Sequence, residues 1–136
     1  MIEHTTDSTA ASWVNGISAV TLFAEDLPAT VAFYRAVFEL PVRYADDVST
    51  VFDFGGILIN LLQISEAPGL IEPRPVAAPE AGARAQFTLT VPDVDAAAVR
   101  VVAAGATLLN GPQDRPWGIR TAAFADPAGN VWELAS

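Results

Sequence analysis

The sequence predicts an α+β fold of two tandem βαβββ modules forming a cupped, barrel-like mixed sheet with helices outside. Three observations carry that expectation: a repeated strand-to-helix segment, matched endings of the two halves, and a proline-rich stretch between them. The repeat aligns Ala19-Val20-Thr21-Leu22-Phe23-Ala24-Glu25-Asp26-Leu27 with Gln86-Phe87-Thr88-Leu89-Thr90-Val91-Pro92-Asp93-Val94. Thr21 to Thr88 and Asp26 to Asp93 are both 67 residues apart, and self-similarity of this kind marks a duplicated unit.

Each copy reads as a strand running into a helix. Asp26 and Asp93 stand where an N-cap belongs, with carboxylates that accept from the first free backbone N–H groups. Leu27, Val31, Tyr34 and Phe38 then fall on one stripe of a first helix, and Val94, Ala98, Val101 and Val102 on one stripe of a second. Gly105 fits the left-handed position that ends the second helix. Strands are expected at Pro41 to Tyr44, Thr50 to Phe54 and Ile57 to Ile64, and again at Thr107 to Leu109, Ile119 to Phe124 and Val131 to Leu134. Gly55-Gly56 and Asp126-Pro127-Ala128-Gly129-Asn130 supply the turns before each last strand. Gly56 precedes Asn60 as Gly129 precedes Glu133, so Asn60 and Glu133 take equivalent places.

Residues 1–14 read as a flexible tail and residues 15–136 as one domain, with module one at about 16–65, a linker at 66–84 and module two at about 85–136. Pro68, Pro73, Pro75 and Pro79 are expected to keep the linker out of helix and central strand. The first strands of both modules are apolar or small on both faces, so the faces away from the helices are expected to turn toward each other around a cavity.

Composition bounds the function. A chain of 136 residues, 51% hydrophobic, builds a core without staples, and with no cysteine it has neither disulfides nor thiolate chemistry. All seven basic residues are arginines against sixteen acidic ones, and a net charge of −9 argues against nucleic acid and anionic membranes as partners. No apolar run is long enough to span a bilayer, and the N-terminus lacks the pattern of a secretory signal, so a cytoplasmic location is expected.

The runs VTLFAEDLPATVAFYRAVFEL, FTLTVPDVDAA and PWGIRTAAFADPAGNVWELA together resemble the vicinal oxygen chelate superfamily, which includes glyoxalase I, fosfomycin-resistance enzymes, extradiol dioxygenases and bleomycin-resistance proteins. The resemblance covers about residues 16–136. It implies a homodimer, because relatives usually pair the first half of one chain with the second half of another. It also implies that Ala19, Asn60, Gln86 and Glu133 occupy the positions where metal-dependent members hold their ligands. Ala19 has no donor atom, Asn60 and Gln86 are neutral amides, and His4 lies in the tail, so neither a metal nor another cofactor is expected.

Members without the ligands are often drug-binding or sequestering proteins, and the DPAGN ending and acidic balance are most similar to bleomycin-resistance proteins. The first expectation is therefore a small-molecule binding protein with its pocket between modules. The alternative is a metal-dependent or Glu133-based lyase, isomerase or dioxygenase of the same superfamily, with glyoxalase-like lyase chemistry if it is an enzyme. Strand alternation puts Thr21, Phe23, Leu58, Leu62, Thr88, Thr90 and Val131 on the same faces as the ligand positions. Ligand contacts are expected from Phe23, Asn60, Gln86, Thr88, Trp117 and Glu133, with Trp117 either closing the cup or shielding a helix edge. Glu133 is the candidate catalytic residue; its alternative role is a structural carboxylate tied to Gln86 and Asn60. Arg115 and Arg120 either meet a ligand carboxylate or are surface arginines, and Trp132 is expected in the core.

Overall fold

The computed structural model describes residues 13–136, and in it both modules run strand, helix, then three strands. Module one comprises β1 (Ala19–Ala24), α1 (Leu27–Phe38), β2 (Val42–Ala45), β3 (Ser49–Asp53) and β4 (Leu58–Gln63). The linker carries α2 (Pro68–Ile71), and module two comprises β5 (Gln86–Thr90), α3 (Val94–Ala103), β6 (Leu108–Asp114), β7 (Arg120–Ala125) and β8 (Val131–Ala135). Residues 1–12 of the expected tail, His4 among them, lie outside the described residues.

The caps form as the repeat requires. Asp26 accepts from the Ala29 N–H at 3.0 Å and Asp93 from the Ala96 N–H at 3.1 Å. Gly105, at φ +114°, ends α3 by donating to the Val102 carbonyl at 3.0 Å, a conformation that a residue without Cβ adopts at no steric cost. Each module makes its own four-stranded sheet, ordered β1-β4-β3-β2 and β5-β8-β7-β6, with the β1/β4 and β5/β8 pairs parallel and the others antiparallel. The two sheets are cupped and separate; they do not close into one barrel.

Two elements differ from expectation. The linker is not free of helix: turns at Ile64–Glu66 and Pro79–Ala81 flank α2. Pro68 and Pro79 open their helical segments, where a missing N–H breaks no hydrogen bond. The sixth strand continues past Leu109 to Asp114 because it lies on the sheet edge, where register shifts around Asn110 accommodate Pro112.

The packing of the modules reverses the expected arrangement of faces. Tyr34 of α1 is fully buried and lies against Phe52 of β3 on one side and Trp132 of β8 on the other, with ring centroids 5.7 and 6.0 Å away. Phe33 and Phe38 of the same helix reach Phe124 of β7. Phe54, just beyond β3, stacks on Trp132 with centroids 5.1 Å apart. Sheets lying edge to edge through β1 and β5 would hold β3 and β8 four strand spacings apart, roughly 19 Å. The helix-bearing faces therefore look at each other across one shared core, and the opposite faces look outward. The helices lie outside each cup and also between the two sheets. This explains why Thr30 and Val37, beside the expected stripe, are buried on α1: the helix has two sheets to contact rather than one. On α3, by contrast, Val102 remains exposed.

One polar network crosses this core. The Tyr34 hydroxyl donates to Asp126 Oδ2 at 2.6 Å and accepts from Trp132 Nε1 at 3.1 Å. Asp126 Oδ1 also accepts from the Ala128 and Asn130 N–H groups, both at 2.9 Å, so the DPAGN turn is built around this carboxylate. Burial, and then the Asp126 charge, push the Tyr34 phenol far above its ordinary pKa, which keeps it protonated as the donor. Arg84, whose side chain is only 9% exposed, clasps the modules: Nη1 donates to the Phe23 and Ala128 carbonyls, both at 3.0 Å, and the guanidinium pairs with Glu25.

Replacing Tyr34 with Phe keeps the ring but leaves the Trp132 indole N–H without a partner and Asp126 Oδ2 with only the Asn130 amide. Urea unfolding is expected to show a loss of about 1.5–3 kcal/mol; a loss below about 0.5 kcal/mol would show that the network is not holding the modules together.

The Glu25 carboxyl is held below its usual range by the hydrogen bond from Arg84. Its stabilisation is thus present above the ordinary glutamate pKa and fades as the pH falls through the lowered folded value. Wild type should exceed Glu25→Gln at pH 7 by roughly 0.2–1 kcal/mol, the range for solvent-screened pairs. Thermal unfolding of the two proteins should converge as the pH falls through that lowered value.

Candidate functional site

The strand registers assign every candidate residue to a face. In module one Thr21 pairs with Asn60, which pairs in turn with Val51, so these three side chains share a face with Phe23, Leu58 and Leu62. In module two Thr88 pairs with Glu133, which pairs with Ala123; Gln86, Thr90 and Val131 lie on the same side. The intervening residues Leu22, Ile59, Leu61, Trp132 and Leu134 fill the shared core. Both candidate sets are thus on outward faces, one on each sheet.

The structure brings together the residues within each set and keeps the sets apart. The expected bond between Gln86 and Glu133 is absent, because the register sets Gln86 opposite Val131. Glu133 faces Thr88 instead, and the Thr88 hydroxyl donates to Glu133 Oε1 at 2.8 Å. Glu133 Oε2 accepts no hydrogen bond from the described residues. On the other sheet, Asn60 Nδ2 donates to the Thr21 hydroxyl at 3.5 Å, while Asn60 Oδ1 is buried without a partner. No hydrogen bond joins the two sets among the described residues, so Glu133 is not the carboxylate tied to Gln86 and Asn60.

The faces differ in chemistry. That of module one is half-buried and largely apolar, with Phe23, Val51, Leu58 and Leu62 surrounding the Thr21–Asn60 pair. That of module two is polar and more open, with Gln86, Thr88 and Thr90 exposed and Glu133 as its charge. Trp132 is in the core, as expected, at 2% exposure. Trp117 is 67% exposed on the β6–β7 turn, with the Arg115 guanidinium 5.8 Å from its ring centre. Arg115 is held by Thr121 and Asn110, and Arg120 by Asp95 and Asp114, which is the surface reading of both arginines.

Ala19 offers only a methyl group and Asn60 and Gln86 are neutral amides, which leaves Glu133 as the one charged donor among the four positions. Among the described residues, no group of three or more histidine, cysteine or acidic side chains is placed to hold an ion. Sequence reasoning missed Asp126, read only as a turn residue, and Arg84, read as linker. Nothing local marks either one, since their partners lie 92 residues away at Tyr34 and 61 away at Phe23.

Comparison with known proteins supports the fold throughout. A family profile described as the Glyoxalase/Bleomycin resistance protein/Dioxygenase superfamily matches residues 16–134. The chain is similar to a glyoxalase/bleomycin resistance protein/dioxygenase from Nocardioides, at 22% identity and TM-score 0.81, over 94% of this chain and 87% of that one. It is similar also to a lactoylglutathione lyase from Agrobacterium tumefaciens, at 27% identity and TM-score 0.71, over 90% and 93%. An uncharacterized protein of Mycobacterium bovis is 48% identical over 46 residues, which is 34% of this chain and only 30% of that protein's length.

Proposed function

The chain belongs to the glyoxalase/bleomycin resistance protein/dioxygenase superfamily, and from that premise we propose that it binds a small organic molecule without a catalytic metal. The pocket forms when the outward face of module one meets the outward face of module two from a second copy. One observation carries this reading: a single chain holds two complementary half-sites, one apolar and one polar, back to back. A two-fold pairing of copies brings each apolar half against a polar half and creates two equal pockets.

Such a pocket has apolar walls with a few placed polar groups, the usual construction of small-molecule sites. Phe23, Val51 and Leu58 supply surface for a planar or apolar body. Beside the buried Asn60 amide, Glu133 Oε2 is an acceptor that awaits a donor, so the ligand carries a cationic or donor-rich group. Gln86 and Thr88 flank Glu133 and hold the polar end. Among the described residues no helix is long and apolar enough to cross a membrane, and a homodimer in the cytoplasm is part of this reading.

Light scattering at tens of micromolar, an order of magnitude set by ordinary dimer affinities, should give the mass of two chains. A thermal-shift screen of planar cationic compounds against this dimer should then yield binders. For these, Glu133→Gln should weaken affinity by about 1.5–3 kcal/mol, the worth of a charged hydrogen bond, without lowering the melting temperature. Unchanged affinity would remove Glu133 from the site, and a monomer would remove the composite pocket.

The Ala19 position gives a second check. Mn²⁺, Ni²⁺ or Zn²⁺ should leave the melting temperature of the wild type unchanged. Ala19→His, which adds a donor opposite Leu58 on the same face as Asn60, should be stabilised by the same ions through mass action. Equal stabilisation of both proteins would contradict the metal-free reading.

A further inference from the structure

A cavity of about 370 Å³ runs along the free edge of β1 and is roofed by the linker. Val20 and Leu22 from the core face and Thr21 and Phe23 from the outward face all border it, so it opens on the strand's edge rather than on either face. Val76 of the linker and Phe87 of β5 also line it. Its volume is in the range of small-molecule sites, and its lining is mostly apolar.

The edge itself supplies the polar groups. The Leu58 N–H donates to the Ser18 carbonyl at 3.0 Å, which sets the phase of the β1/β4 ladder. In a parallel pair every second residue bonds to the neighbouring strand. Val20 and Leu22 are thus committed to β4, and the backbones of Thr21 and Phe23 turn toward the cavity. The Phe23 carbonyl is taken by Arg84, whose charge is answered by Glu25. The Thr21 N–H and C=O, on the free edge of the half-buried strand, have no hydrogen-bond partner among the described residues.

We propose that this cavity is a second binding site, distinct from the composite pocket although Thr21 and Phe23 border both, for a neutral apolar compound with an N–H and a carbonyl set one residue apart. An N-acylated amino-acid amide has that spacing. It would pair with Thr21 as an added strand does, its side chain against Val76 and Phe87. The neutralised Arg84 leaves no call for an anionic group.

The test uses N-acetyl-leucine methylamide and its ester analogue, in which oxygen replaces the acyl N–H, followed by amide NMR shifts of the intact protein. The amide should shift residues 20–23, 76–77 and 85–87, and the ester should bind roughly threefold to tenfold more weakly, the effect of one hydrogen bond. Val76→Trp and, separately, the exposed Ala83→Trp should fill the cavity and abolish both responses, while Glu133→Gln should leave them unchanged. Equal binding of amide and ester, no binding at about millimolar concentration, or shifts elsewhere would overturn the proposal. Loss of binding in Glu133→Gln alone would place the compound in the composite pocket, overturning this inference and leaving the proposed function standing.

Discussion

The hydroxyl of Tyr34 decides which way both sheets face. It donates to Asp126 and accepts from the Trp132 indole in a fully buried setting, where an unmatched polar group is costly. α1 therefore belongs to module two as much as to its own module. Once a helix is shared in this way, the helix-bearing faces of both sheets must meet, and strand alternation sends Thr21, Asn60, Thr88 and Glu133 outward. The aromatic cluster of Phe38, Phe54, Phe87 and Trp132 reinforces the same arrangement through packing.

That constraint separates stability from recognition. The polar groups inside the shared core satisfy one another and are not available to a ligand. The polar groups on the outward faces are left partly unmatched, at Asn60 Oδ1 and at the second oxygen of Glu133. Unmatched acceptors beside apolar walls are poor structural elements and good recognition elements. The acidic balance of the chain acts in the same direction, since a net charge of −9 draws cations rather than phosphates toward these faces.

The fold was largely legible because its signals are local. The repeat, the Asp26 and Asp93 caps and the turn glycines each act over a few residues, and each element forms where those signals put it. Contacts between modules were not legible, since apolar residues on α1 read identically whether they cover one sheet or two. The same limit hid the helical turns of the linker, where prolines that forbid helix interiors stand at helix starts. It also exchanged Thr88 for Gln86 as the partner of Glu133: the faces were correct, but the register of β5 against β8 is set by the length of the chain between them. Sequence resemblance could not say that one chain holds the candidate positions on opposite sides.

The central claim, that two copies complete each pocket, is open to a direct measurement because the chain has no cysteine. One preparation carries Asn60→Cys and another Glu133→Cys, and the two are mixed, allowed to exchange, and treated with a short bismaleimide. The account predicts a covalent heterodimer in the mixture at much higher yield than in either preparation alone. Equal yields in all three samples, or efficient cross-linking within one chain that carries both cysteines and remains a monomer, would contradict it.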